Sequence, residues 1–284
     1  MPGDKCIVVN KIKKSYKNIN AIRQNFSCEI YSGVNTVLIG KNGAGKTTLM
    51  NLITGNIFLD QGEITINGIC CSKPESRRGL RYLPDNMQVP EKCTAADLFI
   101  EFQRYSSEFS MADFRATAEE FDCLHLIDHP FSKKSKGQKR LLMLSIVLSG
   151  SPSVVILDEP MEGLDPMNVR KVRRRITGLC REGCTVLHSS HRIHEAERHA
   201  ERYLIIHDGE FRGEGVMADL ELYRRIPEER VKHLGMNQVR KVSSIDDYCL
   251  VKAESSESIS SWNMKNISSP ATLEDVYIAS LENL

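Results

Sequence analysis

The chain has 284 residues, 41% of them hydrophobic and 26% charged, values that fit one large or two small packed domains and exclude wholesale disorder. Lysine plus arginine (38) nearly balances aspartate plus glutamate (37), and the net charge of +1 argues against a protein built to coat nucleic acid or anionic lipid. The longest uncharged stretch, Leu141 to Leu157, is broken by Ser149-Gly150-Ser151-Pro152-Ser153 and falls short of the about 20 apolar residues a spanning helix needs.

The N-terminal apolar run Cys6-Ile7-Val8-Val9 is too short for the core of a signal peptide, so the expected location is the cytoplasm. Nine scattered cysteines without a CxxC pair read as free thiols in that compartment.

In chain order, Ile7 to Val9 reads as a strand. Asn35 to Ile39 is an apolar strand that ends in a glycine-rich loop, and Thr47 to Ile53 carries helical spacing that stops at Gly55. Glu63 to Ile66 alternates and meets Asn67-Gly68, a hairpin signal that predicts an antiparallel patch. Residues 91–131 read as mainly helical, and Leu141 to Leu148 as a buried helix. Val154 to Leu157 is apolar throughout, as in a parallel sheet. Val169, Val172, Ile176 and Leu179 mark an amphipathic helix; Thr185 to Leu187 and Tyr203 to Ile206 are further strands. This alternation predicts an α/β core. After Gly215 the pattern weakens, leaving a helix near Leu220, a strand near Cys249 to Val251 and a last helix near Leu273 to Leu281.

The segment Gly40-Lys41-Asn42-Gly43-Ala44-Gly45-Lys46-Thr47 fits G-x-x-x-x-G-K-[ST] between a strand and a helix, the context in which backbone N–H groups cradle phosphates. The following helix, opening with Thr48, adds partial positive charge at its N-terminus. Lys46 is expected to reach the β- and γ-phosphates, and Thr47 to offer its hydroxyl to Mg²⁺. The apolar strand Val154 to Leu157 ends in Asp158-Glu159, acids at the carboxyl edge of a parallel sheet. Asp158 is expected to hold Mg²⁺, and Glu159 to orient or deprotonate the attacking water.

With these motifs in order, residues 5–215 resemble the ATP-binding-cassette (ABC) ATPases. The resemblance implies an α/β P-loop NTPase core with an antiparallel β subdomain and an α-helical signature subdomain at about residues 88–148. It divides the chain into a cassette, 1–215, and a C-terminal accessory region, 216–284. Lys134-Ser135-Lys136-Gly137-Gln138 stands where the family has Leu-Ser-Gly-Gly-Gln; the first and third positions depart from that form. Physically, Ser135 and Gln138 before an apolar helix form a capping box; in the family, Ser135, Gly137 and Gln138 would meet the γ-phosphate bound by a partner copy. Gly163-Leu164-Asp165-Pro166 resembles the family's D-loop, with Asp165 equally suited to cap the next helix, and Glu162 replaces a residue that is usually small. His191 matches the switch histidine, Asp85 stands where the family has glutamine near Mg²⁺, and Tyr16 fits the aromatic that stacks on adenine.

The four histidines 188, 191, 194 and 199 raise zinc as a competing reading. His194-Glu195 opens like a zinc-protease motif, but the next histidine is 199, not 198, and falls off that helical face.

The resemblance implies an ATP- and Mg²⁺-dependent ATPase that pairs head-to-tail with a second copy. It would sit on the cytoplasmic face of the membrane and power a separate permease. The tail, Ser269-Pro270-Ala271-Thr272-Leu273-Glu274-Asp275-Val276-Tyr277, resembles that of bacterial antibiotic, lipid and peptide exporter subunits. The alternative is a soluble ABC ATPase of DNA maintenance or metal-cluster assembly. The interval from Lys46 to Asp158 has no room for a long coiled coil, and the near-neutral charge predicts no nucleic-acid partner.

Overall fold

The computed structural model describes residues 3–17, 19–105, 110–227, 239–245, 248–253 and 269–282. Its centre is a sheet of order β10-β9-β3-β8-β7-β6. Here β3 is Asn35–Ile39, β6 Leu80–Leu83, β7 Val154–Leu157, β8 Thr185–Ser190, β9 Arg202–His207 and β10 Glu210–Val216. All pairs are parallel except β9 with β10. Strands β3 and β7 are buried at every position, which is why both read as unbroken apolar runs. Both flank β8, with Ile39 opposite Ser190 and Leu157 opposite His188. That order brings the loops after β3, β7 and β8 to one edge of the sheet.

A second sheet, β2-β1-β4-β5, is antiparallel. It is built from β1 (Lys5–Tyr16), β2 (Ile19–Tyr31), β4 (Gln61–Ile66) and β5 (Ile69–Cys70). Asn67 (φ 49°) and Gly68 (φ 76°) make the tight turn between β4 and β5, both in the left-handed region that such a hairpin requires. The expected strand at Ile7 to Val9 is part of the longer bulged β1. Ile7, Ile22, Ile30 and Ile64 pack on Leu49 and Leu52 of α1 (Lys46–Ile53). A helical unit of α2 (Ala95–Tyr105), α3 (Met111–Glu120) and α4 (Lys136–Val147) forms another core. Phe99 and Phe114 stack there at 4.7 Å, and α5 (Pro166–Arg181) contributes Val172, Ile176 and Leu179.

The region after Gly215 is more strand-rich than its sequence indicates. The helix expected near Leu220 is a 3-10 turn, Met217–Leu222. A third sheet has order β12-β13-β11-β14, with β11 Tyr223–Pro227, β12 Val239–Ile245, β13 Tyr248–Ala253 and β14 Ser269–Pro270. Helix α7 (Leu273–Glu282) joins it. Leu220, Leu250, Leu273 and Val276 pack with Val37 and Ile39 of β3 and with Ala196 of α6 (Ile193–Glu197). The accessory region therefore covers one face of the strand that feeds the phosphate loop.

Candidate nucleotide site

The loop after β3 curls because glycine permits it at two points of close approach. A Cβ on Gly40 would stand 2.5 Å from the Ile206 carbonyl oxygen, and one on Gly45 (φ +105°) 2.5 Å from that of Ala21. Between them the Ala44 N–H donates to the Lys41 carbonyl at 3.1 Å. Lys46 opens α1 and is buried; its ammonium donates to the carbonyls of Gly40 (2.7 Å) and Lys41 (3.3 Å). The Lys46 amine is thus folded back on its own loop.

Across the sheet edge, Asp158 is 1% exposed. It accepts from the Thr47 hydroxyl at 2.5 Å and from the Ser189 hydroxyl at 2.5 Å. Glu159 lies 3.3 Å from the Lys46 ammonium, and its other carboxylate oxygen is 2.9 Å from His191 Nδ1. Its backbone has φ 47°, and its N–H donates to Ser189 Oγ at 2.8 Å. A left-handed glutamate is strained, and the Ser189 bond helps hold it there. Lys46, Thr47, Asp158 and Glu159, with Asn42, Gly43, Thr48 and Asp85, line an open cleft of about 420 Å³, while Ser189 and His191 line a separate pocket that shares Glu159 with it. The paired hydroxyl and carboxylate of Thr47 and Asp158 are hard oxygen donors of the kind Mg²⁺ takes.

The other expected residues fall outside this cleft. Ser135 and Gln138 form the anticipated capping box of α4. A Cβ on Gly137 would meet the Gly163 carbonyl at 2.9 Å, so glycine lets the signature loop pack on the D-loop. Asp165 caps α5 through Asn168 N–H. Tyr16 is 45% exposed beside Lys14, and Ile19, not Tyr16, lines the cleft. Among the described residues no group of three or more His, Cys, Asp or Glu is disposed to hold a metal ion.

Three of the departures from the family pattern sit in ion pairs, two of them with each other. Lys136 Nζ lies 2.8 Å from Glu162, whose carboxyl is held below its ordinary range by that bond. Asp85 lies 3.8 Å from Arg140; burial raises its carboxyl pKa, and the guanidinium opposes that.

Sequence reasoning missed two residues. Ser189 lies in β8 beyond the Thr185 to Leu187 run that marks the strand in the sequence. Arg140 lies in a run of five basic residues from Lys133, yet it is buried. Its guanidinium donates to the carbonyls of Pro84 and Asp85 (3.1 Å each), Asp158 (2.5 Å), Glu159 (2.6 Å) and Pro160 (3.4 Å). It staples the segment after β6 to the segment after β7.

The family model described as ABC transporter matches residues 23–162. A lipopolysaccharide export system ATP-binding protein, LptB of Haemophilus influenzae, is 29% identical over 77% of this chain and 95% of its own length. An uncharacterized ABC transporter ATP-binding protein of Rhizobium meliloti is 30% identical over 82% of this chain and 88% of its own. The chain belongs to the ABC transporter family. A solved ATP-binding subunit of an ABC transporter has the same fold, with a TM-score of 0.68 at 26% identity over 76% of this chain and 92% of its own. The cassette fold is therefore shown, and the activity is ATP hydrolysis in the service of a membrane transporter. Among the described residues no helix is long and apolar enough to cross a membrane.

Proposed function

We propose that this chain is the ATPase subunit of an exporter, working as a head-to-tail pair beneath a separate permease on the cytoplasmic face of the membrane. The observation that carries the reading is the convergence of Lys46, Thr47, Asp158 and Glu159 on one cleft beside the phosphate loop, with His191 bonded to Glu159 from the adjoining pocket.

When ATP enters, the loop N–H groups take the phosphates and Lys46 leaves its carbonyls for the β- and γ-phosphates. Thr47 and Asp158 would hold Mg²⁺, with Asp85 facing the same cleft, and an ion held there would supply positive charge against the phosphates. Glu159 takes the proton of the attacking water, and His191 holds the Glu159 carboxylate toward it. Tyr16, at the end of β1, is assigned to the adenine side.

Ser135, Gly137, Gln138 and Asp165 lie outside the chain's own cleft. The reading gives them to the nucleotide of a second copy, so two chains complete two sites by two-fold symmetry. A groove of about 710 Å³ between residues 85–91 and α4 is the surface assigned to the permease, because Arg140 connects its floor to Asp158 and Glu159. The export direction rests on the tail motif and on the likeness to a lipopolysaccharide export ATPase.

The test is Glu159→Gln. ATP is expected to drive this variant into a stable dimer with turnover lowered at least about 100-fold. Wild-type turnover in the variant refutes the role of Glu159. Purification from membranes in mild detergent is expected to bring down a membrane protein. Recovery of the chain alone, or salt-dependent DNA binding, would favour the soluble-ATPase alternative.

A further inference from the structure

The tail motif has no place in the mechanism above, yet each of its residues is engaged. Thr272 and Asp275 form a reciprocal cap on α7: Asp275 accepts from the Thr272 N–H at 2.6 Å, and Thr272 Oγ1 accepts from the Asp275 N–H at 3.4 Å. Asp275, 2% exposed, also accepts from Arg225 of β11 (2.7 Å) and the Tyr248 hydroxyl of β13 (2.5 Å). The start of α7 is thereby pinned to the third sheet.

From that anchor α7 reaches two parts of the nucleotide site. The Leu273 N–H donates to Glu197 of α6 at 3.4 Å, and Glu274 lies 3.0 Å from His194 of α6. Helix α6 begins two residues after His191. One turn further along, Tyr277 is 5% exposed, and its hydroxyl is a buried oxygen with no full hydrogen bond. That hydroxyl stands at the backbone of Lys41, the second residue of the phosphate loop, with Asp208 nearby. Burial raises its pKa, so it is a neutral phenol that can donate or accept. A buried hydroxyl without a partner is costly, and its cost is relieved if the bond closes in another state of the loop.

We propose that α7 is a strut that positions the phosphate loop and the His191 segment together, and that the Tyr277 hydroxyl completes its bond to the Lys41 N–H when nucleotide orders the loop. Tyr277 is a positioning residue: it touches neither nucleotide nor water. The inference rests on the ATP site proposed above and adds that the accessory region tunes its affinity.

The experiment uses the full chain and compares Tyr277→Phe, Glu197→Ala and Ile278→Val. Tyr277→Phe keeps the ring among its apolar neighbours and removes only the oxygen. Its Kd for a fluorescent ATP analogue and its KM for ATP are expected to rise about two- to tenfold, the span of one neutral hydrogen bond, with kcat within about twofold. Glu197→Ala loosens the α6 contact and is expected to lower kcat with KM unchanged. Ile278→Val trims the same helix in the same core and is expected to change neither constant. Equal affinity of wild type and Tyr277→Phe overturns the proposal, as does an equal loss in Ile278→Val, which would reduce the strut to general stability. Failure of the wild type itself to bind the analogue would instead overturn the nucleotide site.

Discussion

Arg140 offers the sharpest test of how the site is held. Arg140→Met keeps the length of the side chain and removes every donor. Five backbone carbonyls, from residues 84, 85, 158, 159 and 160, lose their shared partner, and the 9% exposure of Arg140 leaves little water to replace it. An unsatisfied buried acceptor costs about 1–3 kcal/mol, and with some of the five carbonyls left without a donor the total loss is expected to be about 3–5 kcal/mol. At about 2–4 °C per kcal/mol for a chain of this size, the melting temperature is expected to fall by roughly 10 °C. The Glu159 carbonyl is one of the released acceptors, so ATPase kcat is expected to fall at least about tenfold as the carboxylate loses its placement. Arg140→Lys retains charge but places its donors at one point; an intermediate loss is expected because an ammonium cannot span two loops as a planar fork does. Thermal melts without nucleotide separate stability from ligand effects. A melting temperature within about 2 °C of wild type, well below the roughly 10 °C expected, would refute the staple.

The remaining predictions concern other contacts. Ser189→Ala removes the donor to Asp158 and the acceptor for the Glu159 N–H; a loss of about 1–3 kcal/mol in denaturant melts and a marked fall in kcat are expected. If Lys136 and Glu162 matter as a pair, Lys136→Glu and Glu162→Lys each lower ATPase, and the double exchange restores most of it; a double variant worse than either single one would remove the pairing from the account. His188 is wholly buried beside His199 and Arg173, and burial lowers its pKa to about 4. The unfolded chain takes that proton first, so stability is full above about pH 6.5 and falls as pH drops toward 4, by about 3 kcal/mol in total. His188→Gln is expected to remove that component from the acid side of the stability profile; parallel profiles for the two proteins would refute it.

Much of this was legible where chemistry is local. The glycines of the phosphate loop, the apolar strands β3 and β7 and the Asn67-Gly68 turn each carry their cause within a few residues. The capping box at Ser135 and Gln138 is of the same kind. Strands β11 and β12 were not legible. Tyr-Arg-Arg-Ile-Pro and Val-Arg-Lys-Val-Ser-Ser-Ile lack an apolar alternation, and pairing with β13 defines them. Arg225 finds its partner, Asp275, only through the fold. Arg140 was hidden for the same reason. A basic run reads as solvated, and nothing nearby in the chain announces that carbonyls from two distant loops surround one member of it. Departures at Asp85, Lys136 and Glu162 looked independent in sequence; three dimensions show two complementary ion pairs.

Glu159 holds a backbone conformation that a side chain with a Cβ adopts at a cost of about 1–2 kcal/mol. Glycine would release that strain, and asparagine part of it. A library of variants selected for heat resistance alone would therefore drift toward glycine at position 159 and discard the carboxylate. Only a screen that also demands turnover would keep glutamate there, so thermal survival and catalysis pull this one position in opposite directions.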